Sequence, residues 1–374
     1  MVKSGHLASE LFEGNSRFWC HGKALTGPDY TNAIITLIAI LIAHGLYYGI
    51  CIAWLCTFWQ PYGFIILALA LPLSLTSLIS FTLAVTDDPG IIPRAHSAPP
   101  EISSDPSFPR ELPTSLNNTP IKLKYCETCR HWRPPRCVHC FQCNNCVERM
   151  DHHCPWLGNC VGRRNYRSFF VFVSSTALLC VYVMATIVLQ LTLNTRRFLS
   201  LNADDAEYST AEAFASALGF WGSGVLLVVF VFVLLAFGFT GGLTGFHLFL
   251  MWRNVTTNEF IKKTYGKRNE LNPYEERGVG AWSERLMARK THSKLKREYD
   301  GRKTDVDVDA LVEEGVRRLK EAEDKNKAVE IRVELPSEDC LKRSDDHEAA
   351  ANGQLEDVAV ESMNSGGGAE DDKV

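Results

Sequence analysis

The sequence predicts an all-α polytopic membrane protein, with four transmembrane helices and a cytosolic cysteine-rich domain between the second and third helices. Three observations support this prediction. Four long apolar stretches carry no charge, cysteine and histidine are concentrated in one loop between them, and lysine and arginine are unevenly distributed among the loops.

The four apolar stretches are each long enough to cross a bilayer, which takes about 20 helical residues at about 1.5 Å per residue. None of them contains Asp, Glu, Lys or Arg, and a buried core helix of a soluble protein rarely needs a charge-free run of this length. The stretches are 33–55, 64–85, 169–191 and 222–248.

The distribution of positive charge predicts the orientation. The loop at 56–63 has no Lys or Arg, and the loop between the third and fourth stretches has only Arg196 and Arg197, whereas the loop at 86–168 has many basic residues. Because the side rich in Lys and Arg is the cytosolic side, we expect both termini and the long loop to face the cytosol.

The most informative part of the long loop is 126–160, which holds eight of the thirteen cysteines and four of the eleven histidines. The cysteines recur as C-x-x-C beside histidines, which is typical of metal binding in a reducing compartment. A structural zinc ion takes four Cys or His ligands, so six cysteines and two histidines would complete two sites. Spacing alone does not determine which ligand belongs to which ion.

This count leaves Cys137, Cys154 and two histidines without a metal role, and Cys154 directly follows Asp151, His152 and His153. A thiol becomes a nucleophile when a neighbouring base or positive charge favours its thiolate. An imidazole oriented by a carboxylate is such a base. The residues alone leave two interpretations of Cys154 open, a nucleophile or one more zinc ligand.

The letters DHHC at 151–154, inside this cysteine-rich run and between the second and third apolar stretches, resemble the DHHC family of protein S-acyltransferases, or palmitoyltransferases. The resemblance extends to DPG at 88–90, TTNE at 256–259 and NPYEERG at 272–278, which lie in the order that this family shows. The stretches RFWCHGKALTGPDY and RPPRC are similar to plant members of the family.

The family fold implies a ligand set for each of two structural zinc ions. One ion is expected on Cys126, Cys129, His139 and Cys146. The other is expected on Cys140, Cys143, His153 and Cys160. All eight positions carry the required residue type.

The resemblance also implies the catalytic roles. Cys154 matches the nucleophile that becomes acylated, His152 matches the general base, and Asp151 matches the carboxylate that orients this base. Thr257 of TTNE is expected to contact the region of the active site, and Asn272 is expected to brace the core. Cys137 remains a spare cysteine.

The implied activity is that of a protein-cysteine S-palmitoyltransferase. A long-chain acyl group would move from acyl-CoA to Cys154 and then to a cytosolic cysteine of a membrane-associated client protein. Arg149, Arg163 and Arg164 are candidate ligands for the phosphates of CoA. The formal net charge of −4 gives no global basic field, so no nucleic-acid partner is expected.

Two other classes of function fit parts of the pattern. A membrane-anchored zinc module that only binds partners would use Cys154 as a structural residue. A transporter or channel is disfavoured because the apolar stretches contain no Asp, Glu, Lys or Arg and only two histidines, His44 and His247, and we expect neither to have a partner.

These features divide the chain into six predicted parts, and we expect a multi-pass protein of the plasma membrane, with the Golgi or another endomembrane as the alternative. The C-terminal region is expected to include an exposed charged helix. The parts are a cytosolic N-terminal segment at 1–32, transmembrane helices 1 and 2 at 33–85, the cytosolic zinc-binding catalytic domain at 86–168, transmembrane helices 3 and 4 at 169–250, a cytosolic C-terminal region with TTNE and NPY at 251–330, and a disordered acidic tail at 331–374.

Overall fold

A computed structural model describes residues 12–20, 24–202, 209–219, 222–265, 272–274, 280, 282, 286, 295 and 308–334. Within these ranges, four helices are long and apolar enough to cross a membrane. Each contains the charge-free stretch that predicts it, except that Gly222 lies just before the fourth helix. The four helices, called spans 1 to 4, are Tyr30–Phe58, Tyr62–Thr86, Tyr166–Leu201 and Ser223–Trp252.

Span 3 lies at the centre of the four helices. Its most apolar window is 50% buried inside the protein, compared with 11% for span 1. The Tyr182 hydroxyl donates a 2.7 Å hydrogen bond to the carbonyl of Ile66 in span 2, and Ser77 and Thr176 share another of 2.7 Å. Because lipid tails are as apolar as leucine, close packing and such polar contacts hold the spans together.

Several short helices accompany the spans, and span 1 has a π-helical turn at Tyr47–Ile52. The predicted charged helix near the C-terminus is present, whereas residues 335–374 of the predicted tail lie outside the described residues. The α-helices are α1 (Tyr30–Leu46), α2 (Ala53–Phe58), α3 (Tyr62–Thr86), α4 (Pro100–Ser104), α5 (Tyr166–Leu201), α6 (Thr210–Gly219), α7 (Ser223–Trp252), α8 (Thr257–Ile261) and α9 (Val308–Glu334).

The regular elements of the segment between spans 2 and 3 are mainly short strands, so the all-α class holds for the membrane helices only. This segment lacks the helical period of apolar residues, and its C-x-x-C pairs lie in tight turns between extended residues. The strands are β1 (Arg17–Trp19), β2 (Ala24–Thr26), β3 (Ile91–Ile92), β4 (Glu111–Leu116), β5 (Thr119–Cys126), β6 (His131–Arg133), β7 (Val138–Cys140), β8 (Asn145–Val147), β9 (His152–Cys154) and β10 (Asn159–Val161). They pair antiparallel in the orders β1-β2, β3-β8-β7, β4-β5-β6 and β9-β10.

Two buried asparagines tie the β9-β10 hairpin to the end of span 2. The Asn159 amide donates a 3.0 Å hydrogen bond to the carbonyl of Val85, and the Asn165 amide donates a 3.1 Å bond to that of Ala84. Both asparagine side chains are fully buried. As a result, Cys154 at the end of β9 packs in an apolar cluster that the ends of the spans build.

Candidate active site and metal centres

The first Cys/His group, called site 1, gathers four side chains around one point. Nδ1 of His139 lies 3.5 Å from the sulfur of Cys126 and 3.4 Å from that of Cys129. The sulfur of Cys146 lies 3.8 Å from the same nitrogen. The four atoms all lie within 4.8 Å of one another. Site 1 therefore joins the turn between β5 and β6, which carries Cys126 and Cys129, to the β7-β8 hairpin, which carries His139 and Cys146.

The second group, called site 2, has the same composition. Nδ1 of His153 lies 3.6 Å from the sulfur of Cys140 and 3.4 Å from that of Cys143. The sulfur of Cys160 lies 3.6 Å from this nitrogen and 3.5 Å from the Cys143 sulfur. Site 2 joins the β7-β8 hairpin to the β9-β10 hairpin, which also carries Cys154.

Both groups fit a tetrahedral zinc ion. Zn–S bonds of about 2.3 Å and Zn–N bonds of about 2.0 Å at tetrahedral angles place sulfur and nitrogen about 3.5 Å apart. The sulfur–nitrogen separations at both sites are 3.4–3.8 Å. Three sulfurs and one imidazole, without an open position, are the ligands of structural zinc sites. The eight side chains that the resemblance assigns to zinc are therefore brought together in the two expected sets.

Two cysteines of the same region lie outside both groups. Cys137 packs beside the sulfurs of site 1 without belonging to its four ligand atoms. Cys154 packs instead against span 3, in a cluster that contains Phe169 and Phe172. Both are free thiols. The thiol of Cys154 is therefore available for a role other than metal binding.

His152, two residues before Cys154 in the DHHC sequence, forms an acid–base pair with Asp151. Nδ1–H of His152 donates a 2.9 Å hydrogen bond to Asp151, whose side chain is 1% exposed. Burial disfavours the charged imidazolium, but hydrogen bonds and charge interactions with Asp151 and Cys154 outweigh it and raise the pKa of His152 to about 9. His152 is consequently a stronger base than a free imidazole.

The two threonines of TTNE have different contacts. Thr256 begins α8 with a capping box, in which its hydroxyl accepts from the Glu259 N–H and the Glu259 carboxylate accepts from the Thr256 N–H. Thr257 instead donates its hydroxyl to Asp151 at 2.6 Å and its N–H to the same carboxylate at 3.0 Å. Thr257 thus fixes the carboxylate that holds His152, and it contacts the candidate active site, as the resemblance implies.

The glutamate of TTNE also forms a buried ion pair. Glu259 lies 2.7 Å from Arg136, and their side chains are 9% and 5% exposed. Arg136 donates a further hydrogen bond to the Asn254 carbonyl and lies 4.5 Å from the ring centre of Tyr274. Asn272 lies within 3.4 Å of the same carbonyl. The NPY element therefore braces the end of span 4 against the loop that carries Arg136.

The DPG motif forms a turn after span 2. One oxygen of Asp88 accepts 2.8 Å hydrogen bonds from the N–H groups of Gly90 and Ile91, and the other pairs with Arg164. Gly90 has a φ of +111°, which favours glycine. This turn starts β3 and places it beside β8, the strand that carries Cys146.

A cavity of about 420 Å³ opens from Cys154 into the membrane helices. Residues of all four spans line it, and nearly all of its lining is apolar. Trp156 and Leu157 line it beside Cys154, and Tyr47 and Cys180 line it within the spans. An alkyl chain attached to Cys154 requires an apolar space beside this thiol, and the cavity is such a space.

Comparison with known proteins identifies the family to which this arrangement of residues belongs. A family profile described as DHHC palmitoyltransferase matches residues 119–264. Protein S-acyltransferase 8 of Arabidopsis thaliana is 36% identical over 269 residues, which cover 68% of this chain and 62% of that protein. Palmitoyltransferase ZDHHC18 of Rattus norvegicus is 36% identical over 289 residues, which cover 72% of this chain and 69% of that protein.

The chain belongs to the DHHC palmitoyltransferase family. The family predicted from the DHHC, DPG and TTNE motifs is confirmed, and the similarity to Arabidopsis proteins agrees with a plant-like member. The matched region is about 62% of the length of Protein S-acyltransferase 8 and of Probable protein S-acyltransferase 7, both from Arabidopsis thaliana.

In this DHHC protein, His152 also has a neighbour from the membrane helices, His247, which the sequence does not predict. His247 of span 4 is 1% exposed, and its ring centre lies 6.0 Å from that of His152. A 3.1 Å hydrogen bond joins Nδ1 of His247 to the hydroxyl of Tyr166. The expectation that His247 has no partner is therefore wrong, because the partner comes from a distant part of the chain. The sequence does hold one signal that could have identified His247, because an ionisable residue within an apolar span is often functional.

His44, the other histidine of the spans, also has a partner. Its Nδ1 lies 2.7 Å from the carbonyl of Ile40, one turn earlier in span 1. The expectation that His44 has no partner is therefore also wrong. Its partner is local, since a side chain in a helix can reach the carbonyl four residues before it.

The three arginines proposed from the sequence as CoA phosphate ligands have partners within the DHHC protein. Arg164 pairs with Asp88, and Arg149 donates to the side chain of Asn254 at 2.8 Å. Arg163 lies 3.9 Å from Glu148. Arg149 therefore connects the cysteine-rich segment to the end of span 4, whereas Arg163 and Arg164 pair within the segment itself.

Proposed function

We propose that this chain is a protein S-acyltransferase that moves a long-chain acyl group, with palmitoyl as the expected one, from acyl-CoA to cysteines of client proteins. The observation that carries the proposal is the position of Cys154. Its thiol lies outside both metal groups, next to the His152–Asp151 pair, and on the wall of an apolar cavity.

In the first step, His152 accepts the proton of the Cys154 thiol, and the thiolate attacks the thioester carbonyl of acyl-CoA. A new carbon–sulfur bond forms to Cys154, the bond to the CoA sulfur breaks, and CoA leaves as a thiol after taking the proton from His152. Asp151 holds Nδ1–H of His152, so that the other ring nitrogen is directed to proton transfer.

In the second step, a client cysteine takes the place of CoA. Its thiol gives a proton to His152, and its thiolate attacks the acyl carbonyl on Cys154. The Cys154–carbonyl bond breaks, and Cys154 regains a proton from His152. One thioester is exchanged for another in each step, so no nucleotide hydrolysis is needed to drive the transfer.

The cavity supports a long acyl chain as the transferred group. Burying a CH₂ group gains about 0.8 kcal/mol, so a sixteen-carbon chain gains roughly 10 kcal/mol by leaving water. A cavity whose lining comes from all four spans offers that environment directly behind Cys154. The alkyl chain would lie among the helices while its carbonyl stays at the thiol.

We assign a structural zinc ion to each of sites 1 and 2. Bound zinc would supply folding energy to a segment with little apolar core and would not take part in a chemical step. Through site 2, the ligands His153 and Cys160 would hold both strands of the hairpin that carries Cys154.

We place both termini and the cysteine-rich segment in the cytosol, where acyl-CoA and the client cysteines are. The excess of Lys and Arg in the loop at 86–168 supports this orientation. The plasma membrane is the proposed location, with the Golgi or another endomembrane as the alternative, and imaging of a tagged copy in plant cells tests it.

Metabolic labelling with an alkyne analogue of palmitate tests the proposed activity. We expect Cys154→Ser to abolish hydroxylamine-sensitive label on the chain and on its clients while two zinc ions remain bound. Cys20→Ser is the matched control, because this exposed thiol lies outside the site. Label that persists in Cys154→Ser would contradict catalysis and favour the alternative, a membrane-anchored zinc module that only binds partners.

A further inference from the structure

The N-terminal segment, residues 12–20 and 24–29, packs onto site 2. The N–H of Asn15 donates a 2.9 Å hydrogen bond to the carbonyl of Cys143, and the Asn145 side chain donates to the Ser16 hydroxyl at 3.3 Å. Leu25, which is 4% exposed, packs in the same cluster as three cysteines of site 2. These contacts place the segment around the metal ligands, although it precedes them by more than a hundred residues.

Two glycines let the N-terminal segment approach the β9-β10 hairpin closely. A Cβ atom at Gly27 would lie 2.2 Å from the carbonyl oxygen of Gly158, and one at Gly158 would lie 2.2 Å from that of Asp29. Gly158 also has a φ of +58°. Because backbone atoms meet on both sides, only glycine fits at these positions. The turn between β9 and β10 is therefore fixed against the residues just before span 1.

This approach brings a carboxylate to the outer nitrogen of a metal ligand. Nδ1 of His153 faces the three sulfurs of site 2, and its Nε2 lies 3.1 Å from Oδ2 of Asp29. An imidazole that gives Nδ1 to a metal carries its proton on Nε2, which donates to the carboxylate. Such partners fix the tautomer and ring orientation of a ligating histidine and strengthen metal binding.

We propose that Asp29 is the positioning carboxylate of site 2, and that the N-terminal segment is a structural part of this site. Asp29 is the residue just before span 1, so it connects a membrane helix to the hairpin that carries Cys154. The proposal rests on the zinc binding proposed above and does not depend on acyl transfer.

Zinc retention in the purified full-length protein tests this proposal. The variants are Asp29→Ala, which removes the carboxylate, and Asp29→Asn, which keeps an oxygen for the Nε2–H. Asp105→Ala is the control, because its side-chain hydrogen bonds go to Ser107 in its own turn. Bound zinc is counted by mass spectrometry, and its release to a chelator is followed with time.

We expect two bound zinc ions in the unchanged protein and in the control. In Asp29→Ala, one ion should leave about 10- to 100-fold faster while the other keeps its rate, and Asp29→Asn should fall between. Alkylation during release locates the change, because the thiols of site 2 should react first. These thiols belong to Cys140, Cys143 and Cys160.

Equal release rates in Asp29→Ala and the unchanged protein would overturn the proposal. Faster alkylation of site 1 and site 2 together would also overturn it, since that result assigns Asp29 to general folding. An unchanged protein that binds no zinc would instead refute the zinc assignment itself, which separates the two failures.

Discussion

The cysteine-rich segment and the four spans are held together by different forces. The spans bury apolar side chains and polar ones other than Asp, Glu, Lys and Arg, whereas the region around β9 and α8 buries the charged Asp88, Glu148, Asp151 and Glu259. Cys154 lies where the two regions meet, with apolar helices on one side and an acid–base pair on the other. The proposed reaction thus needs both regions, one for the acyl chain and one for the thiol.

Removal of zinc should give the largest difference between the two regions. Structural zinc contributes about 10–16 kcal/mol of apparent binding energy in small zinc domains, while helices in a bilayer keep their backbone hydrogen bonds. We expect a chelator to abolish acyl-enzyme formation and to expose the six sulfurs of sites 1 and 2. Circular dichroism of the helices should change little. If the circular dichroism signal of the helices fell as zinc was removed, the two regions would not be stabilised by different forces.

Replacement of Asp151 should give the next largest effect. Asp151→Ala removes the acceptor for His152 and for both donors of Thr257. Because acid–base catalysis contributes about 10²- to 10⁴-fold, we expect acyl-enzyme formation to slow within that range in a single-turnover assay. Zinc content should stay at two ions.

The control for Asp151→Ala is Glu127→Ala, which removes an ion pair between Glu127 and Arg110 at the surface. Such pairs contribute little to stability, so this variant should keep the full rate. A rate for Asp151→Ala within twofold of the unchanged protein would show that His152 does not depend on this carboxylate.

The sequence predicts those features of the structure that depend on residues close together in the chain. The charge-free runs predict the spans because a helix needs only its own residues to satisfy its backbone in lipid. Cysteine spacing predicts two metal sites, but the ligand sets come from the family resemblance. Contacts between distant residues, such as Asp29 with His153 and Arg136 with Glu259, leave no pattern in a single sequence. The strands give no clear signal in the sequence, because each has only two to eight residues.

The two threonines of TTNE provide a sharper comparison, since one stabilises a helix and the other contacts the acid–base pair. Thr257→Val removes a 2.6 Å hydrogen bond to Asp151. A hydrogen bond to a charged group contributes about 1.5–3 kcal/mol, so acyl-enzyme formation should slow about 10- to 100-fold. Thr256→Ala removes the cap of α8, which should lower the free energy of unfolding by about 1 kcal/mol with little change in rate. Equal rate effects of the two variants would contradict this division.

The smallest predicted effect concerns the membrane side of His152. Tyr166→Phe removes the partner of Nδ1 of His247, and a neutral hydrogen bond contributes about 1 kcal/mol. We expect kcat to fall about fivefold while KM for acyl-CoA stays the same, because His247 contacts the ring of His152 and not the cavity behind Cys154. His247→Ala should give a larger fall in kcat, since it also leaves a void beside His152.

Tyr182→Phe is the matched control for Tyr166→Phe, because it removes a 2.7 Å hydrogen bond between spans 2 and 3 away from His152. If both tyrosine variants lowered kcat equally, the effect would come from the packing of the helices. A fall confined to Tyr166→Phe would mean that span 4, through His247, helps to hold the imidazole of His152, the proposed base, in place. The two regions would then share a function, since His247, a residue of the membrane helices, would also position the acid–base pair.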